Sequence, residues 1–180
     1  MKFLIQVIIG MIAWNGVRAQ TTGTATVGFT LPLVGIIDLE SPSSKNISLV
    51  FSNPAEAGNA VALPATNSFL WLNLTSAVAA SQTRRITAQV SGSIPAGISI
   101  NLLVTGPSGS GGGGSARGTP VSAITLNSSA QTVINNIGGA YTGNGVNNGF
   151  QLNYSATLQN YSQLRSGSGT FTVVYTLTDN

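Results

Sequence analysis

The chain has 180 residues, no cysteine and no histidine, and only 6% of it is charged, against about a quarter in ordinary soluble domains. Those absences exclude thiol chemistry, disulfides, histidine general-base catalysis and ordinary zinc sites. Seven basic and four acidic residues give a formal net charge of +3, with no Lys/Arg cluster able to follow a phosphate backbone, which argues against nucleic acid as a partner.

Residues 1–19 read as a secretory signal peptide. Lys2 supplies the positive start, residues 3–14 are mostly apolar, and Val17-Arg18-Ala19 has the small-x-small pattern that signal peptidase reads. Cleavage after Ala19 leaves Gln20 first and removes Lys2 and Arg18. Five basic residues then face four acidic ones, a net charge of about +1. The apolar run is too short for a permanent span, and no later stretch is long and apolar enough to cross a membrane. The expectation is a product secreted or held at the outer cell surface, with no integral membrane segment.

Residues 20–180 are expected to form a single domain. Residues 24–33 open it with an alternating segment: Ala25, Val27, Phe29, Leu31 and Leu33 fall on one face of a strand, with Thr24, Thr26, Gly28, Thr30 and Pro32 on the other. Further strands are predicted at about 35–39, 46–51, 68–75, 84–91, 97–105, 121–127, 131–137, 150–158 and 170–178, divided by Gly, Pro, Asn and Ser punctuation. In the last of these, Phe171, Val173, Tyr175 and Leu177 oppose a mostly threonine row. Helix formers are scarce and no repeat of 20–50 residues is present. The fold class expected is all-β, an antiparallel sandwich or barrel of about eight to ten strands.

Several stretches look chemical. Asp38 and Glu40 share a strand face, which makes them a weak calcium candidate, but paired acid–base catalysis needs two carboxylates facing a cleft. Residues 106–118, rich in Gly and Ser, lack the lysine of a phosphate-cradling loop and read as a mobile surface loop. Of Arg84 and Arg85, consecutive in a strand, one must point inward and find a carboxylate or carbonyls. Residues 68–75 are apolar on both faces, with Leu70, Leu72 and Leu74 on one and Phe69, Trp71 and Asn73 on the other. The first reading puts Trp71 in the core with the leucines partly covered by loops. The second makes Phe69 and Trp71 an exposed contact patch, to which Tyr141 in the Asn-rich stretch 138–149 can be added. Asn144, Asn147 and Asn148 there suit sugar binding, and suit turns still better. Five Asn-x-Ser/Thr sequons, beginning at Asn46, Asn73, Asn127, Asn153 and Asn160, are expected by chance in so Ser/Thr/Asn-rich a chain.

The runs Phe69-Leu70-Trp71-Leu72-Asn73-Leu74-Thr75, Arg85-Ile86-Thr87-Ala88-Gln89-Val90, Ile137-Gly138-Gly139-Ala140-Tyr141-Thr142-Gly143-Asn144-Gly145 and Val174-Tyr175-Thr176-Leu177-Thr178-Asp179 resemble a group of small secreted β-sandwich proteins of Bacteroidota. That resemblance implies location more than activity. More loosely, the alternating ending 170–178, with Gly167 fourteenth from the last residue, is similar to chaperone–usher pilins of the archaic, spore-coat-U-like branch. Those are incomplete sandwiches completed by a strand from the adjacent subunit. The two resemblances imply an immunoglobulin-like or pilin-like sandwich. The chain departs from them in its penultimate Asp179, where an aromatic is usual, and in lacking their cysteine pair.

Two roles follow as expectations, neither catalytic nor requiring a cofactor. In the first the chain is a structural subunit of a surface fibre, pilus or coat, self-associating with copies of itself or related subunits. Its assembly strands would be Ala25, Val27, Phe29, Leu31 and Leu33 together with Phe171, Val173, Tyr175 and Leu177. In the second it is a monomeric cell-surface module that holds a glycan or other surface ligand on Phe69, Trp71 and Tyr141.

Overall fold

The computed structural model describes residues 22–180; the expected leader, residues 1–19, lies outside them. The chain divides into two units, residues 1–31 and Pro32–Asn180. In the first, the described residues 22–31 are exposed and belong to no strand.

Pro32–Asn180 is an antiparallel β-sandwich of ten strands: β1 (Val34–Glu40), β2 (Asn67–Ala77), β3 (Arg84–Ser91), β4 (Ile98–Ser108), β5 (Thr119–Pro120), β6 (Ile124–Thr125), β7 (Gln131–Ile137), β8 (Ala140–Tyr141), β9 (Gly149–Leu158) and β10 (Thr172–Asp179). The larger sheet runs β1-β2-β9-β4-β6, with β8 also on β2, and the smaller runs β10-β3-β7-β5. The two sheets share one apolar core. Leu70, Leu72 and Leu74 of β2, Ile100, Leu102 and Val104 of β4, and Phe150 and Leu152 of β9 meet Ile86, Ala88 and Val90 of β3 and Val133, Ile134 and Ile137 of β7. Each set follows the two-residue period of a strand, which is why the alternation locates the core.

Two expected strands are corrected. Residues 24–33 and 46–51 carry strand alternation but form no strand, because a strand needs a neighbour's main chain and neither segment has one among the described residues. The expected strand at 121–127 shrinks to β6, two residues paired with Leu102 and Asn101 of β4. The leucine row of β2 is in the core and Trp71 is on the outer face, the reverse of the first expectation for residues 68–75. Three leucines at alternate positions bury more apolar area together than the opposite row of Phe69, Trp71 and Asn73.

The stretch 106–118, expected to be a loose loop, is packed. Backbone Gly138 N–H bonds Ala116 O at 2.8 Å, Tyr141 N–H bonds Gly112 O at 3.2 Å, and residues Gly114–Arg117 make a 3-10 turn. At Gly149 the backbone has φ +76° and a Cβ would strike the carbonyl of Leu72, so only glycine lets β9 start against β2 there.

Of the consecutive arginines, Arg84 is the inward one. Its side chain is 11% exposed; Nε donates to Asp179 Oδ1 at 2.7 Å and Nη1 donates to the carbonyl of Val34. A Cβ on Gly35 would lie 2.6 Å from that guanidinium nitrogen, so the glycine makes room for the clamp. Arg84 thereby ties the end of β10 to the start of β1, across the two sheets.

Candidate functional site

β1 ends the order of one sheet and β10 ends the order of the other. Between these two edges the sandwich is open. A cleft of about 270 Å³ is lined by Ile37, Asp38 and Leu39 of β1, Lys45, Leu72 of β2, and Val173 and Tyr175 of β10. Alternation in β10 turns Phe171, Val173, Tyr175 and Leu177 toward the core, yet all four stay only half-buried. They lack cover on the side where a further strand would lie.

The cleft-lining Tyr175 is joined to a second, buried tyrosine. The hydroxyls of Tyr154, in β9, and Tyr175, in β10, hydrogen-bond to each other from opposite sheets. Burial pushes the Tyr154 phenol up to about 12, and burial followed by the neighbouring Tyr154 raises Tyr175 as well. Both are therefore neutral over any physiological range.

Residues 22–31 present a second unsatisfied surface. The segment is extended enough in composition to alternate, but Val27, Phe29 and Leu31 are open to solvent, Phe29 at 90%. Leu33, which continues the row just before β1, is exposed too. The two rows named from sequence thus meet different surroundings: Val173, Tyr175 and Leu177 line or flank an open cleft, while Val27, Phe29 and Leu31 are covered by nothing among the described residues of their own unit.

Sequence reasoning missed the other wall of the cleft. Ile37 and Leu39 were readable as the inward row of 35–39, but nothing in the chain signalled that β1 would be an edge. Lys45 carried no signal at all. Its Nζ bonds Asp38 Oδ1 at 3.2 Å, and this pairing is the first cause holding the Asp38 carboxyl below its usual range. The same Asp38 oxygen accepts Leu39 N–H at 2.7 Å. Asp38 is thus occupied by a lysine and a main-chain amide, and no group of three or more acidic, His or Cys residues arranged for a metal exists among the described residues.

The expected contact patch is divided. Phe69 is 63% and Tyr141 53% exposed, while Trp71 is half-buried, in register with Glu40 on one side and Gln151 on the other. Of the asparagines of 138–149, Asn148 is used locally: its Nδ2 donates to Asn144 O at 2.8 Å and its Oδ1 accepts from Ser110 N–H at 3.2 Å, while Asn144 and Asn147 are exposed. Asn73 is buried beneath this loop, donating to Gly145 O at 3.0 Å, so its sequon is closed to a glycan.

Comparison with protein-family models, with curated proteins and with solved structures yields no match. Among the described residues no helix is long and apolar enough to cross a membrane.

Proposed function

We propose that the chain is an exported structural subunit that builds a surface fibre, pilus or coat by adding a strand of one copy to the sandwich of the next, with no catalytic role. One observation carries this reading: the alternating row of residues 25–33 has no strand partner among the described residues, while β10 keeps a free edge beside a mostly apolar cleft. An extended segment added to a sheet edge gains main-chain hydrogen bonds, and alternate side chains entering the cleft fix its register. Burying Val27, Phe29, Leu31 and Leu33 is worth roughly 1.5–3 kcal/mol each before ordering costs are subtracted. That is enough for a long-lived contact. The low charge supports it, because copies approach without strong repulsion.

The test is deletion of residues 20–33 from the protein that starts at Gln20. Size-exclusion chromatography and negative-stain microscopy should show polymers for the parent and none for the deletion. Polymers that persist without the segment overturn the reading, and so does a parent that stays monomeric at high concentration.

The exposure of Phe69 and Tyr141 favours a second reading, a surface module that stacks a sugar on the outer face of the larger sheet. Glycan-array binding that falls at least about tenfold in the Phe69→Ala and Tyr141→Ala variants supports it; a flat array removes it.

A further inference from the structure

Two described stretches alternate like strands and lack a strand's main-chain partner among the described residues. One is 24–33. The other, 46–51, is already seated on the sandwich: Ile47, Leu49 and Phe51 pack against the core, while Ser48 and Val50 face solvent. Yet no main-chain hydrogen bond joins residues 47–51 to another main-chain group among the described residues; the first pairing beyond them is Ser52 with Ala62. Main-chain amides and carbonyls left unpaired along an extended segment are a template for another strand.

The position of this segment follows from its neighbours. It leaves the open cleft, where Lys45 lines the wall and holds Asp38. β1 pairs only with Trp71–Ala77 of β2, so Asn67–Leu70 has no β1 residue beside it. Residues 46–51 follow directly on Lys45, so they start beside the cleft and pack their apolar row against the core. A strand entering there has two main-chain edges of its own to satisfy, and β10 offers a partner for only one.

We infer that residues 46–51 are the second docking edge for residues 24–33 of another copy, and that they become a paired strand only on assembly. The inference rests on the strand-addition reading above and names its partner surface. The two segments suit each other in chemistry. Neither carries a charged side chain, and each presents an apolar row on one face; the other face is Thr, Gly and Pro in 24–33, and Asn46, Ser48 and Val50 in 46–51. The side-chain alternation of 46–51 is set before the partner arrives, so pairing costs that segment little further ordering.

Hydrogen exchange on the full chain starting at Gln20 decides it, comparing the dilute monomer with the assembled polymer. The amides of 47–51 should exchange at least about tenfold more slowly in the polymer, alongside those of 24–33 and β10. If 24–33 and β10 gain protection while 47–51 is unchanged or exchanges faster, strand addition stands and this docking edge is wrong. If 24–33 gains none in the polymer, or no polymer forms, strand addition itself falls and the docking edge with it.

Discussion

At the scale of single residues, the tyrosine pair gives the most exacting test of the sandwich. Tyr154 and Tyr175 satisfy each other's hydroxyls from opposite sheets, so losing one hydroxyl leaves the other without its partner. Tyr175→Phe should cost about 1–3 kcal/mol at neutral pH, and Tyr154→Phe combined with it should recover part of that loss, because no polar atom is then stranded. The pair also sets an alkaline limit. A phenol ionises near 10 in the unfolded chain and only at about 12 for Tyr154 in the fold, with Tyr175 raised too. Between those values the unfolded state has lost protons that the fold retains, so stability is whole below pH 10 and declines as pH climbs toward 12. Urea titrations at pH 8, 10 and 11.5 (roughly spanning that interval) should show a falling midpoint in the parent. In the double phenylalanine variant this limb should be flattened; an equally steep decline there would show that other groups cause it.

At the scale of elements, β2 separates two rows that looked equally apolar in the sequence. Leu72 is wholly buried and central to the core, whereas Trp71, its neighbour, lies half-buried on the outer face. Leu72→Ala should therefore cost about 2–5 kcal/mol. Trp71→Ala should cost distinctly less, on the order of 1 kcal/mol, although it removes the larger side chain. Thermal or urea unfolding of the two variants checks the assignment, and a reversed order would place the core on the wrong face of β2. The difficulty was physical. A strand's period shows which residues share a face, but which face is inward depends on the total apolar area that both sheets supply. The strands β1, β3, β7, β9 and β10 were legible within a residue or two because their alternation and their bounding turns agree. Segments 24–33 and 46–51 alternate just as well and have no strand partner among the described residues, since pairing is a property of the neighbour and leaves no mark on the segment itself. The candidate surface was legible by halves in the same way. The rows of Val27, Phe29 and Leu31 and of Val173, Tyr175 and Leu177 stood out, whereas the facing wall of Ile37, Leu39 and Lys45 needed the sheet order.

At the scale of the whole molecule, the scarcity of charge decides what would hold an assembly together. The expected chain from Gln20 has five basic and four acidic residues. Two of the described cations are already engaged, Lys45 with Asp38 and Arg84 with Asp179. No charged residue lies in 24–33, 46–51 or 171–178. A contact made from those segments is therefore apolar and main-chain in character, and the charges at the cleft, Asp38 and Lys45, already pair with each other, so screening has little to act on. In about 1 M sodium chloride the Debye length shrinks to roughly 3 Å, which dissolves assemblies held by ion pairs. Polymers of this chain should keep their sedimentation profile under that condition. Sodium sulfate should tighten them by strengthening apolar burial, and guanidinium chloride should release subunits by solvating both apolar surface and peptide groups. Polymers that fall apart in sodium chloride while individual subunits stay folded would mean that charged surfaces, and not the unpaired edges, join the copies.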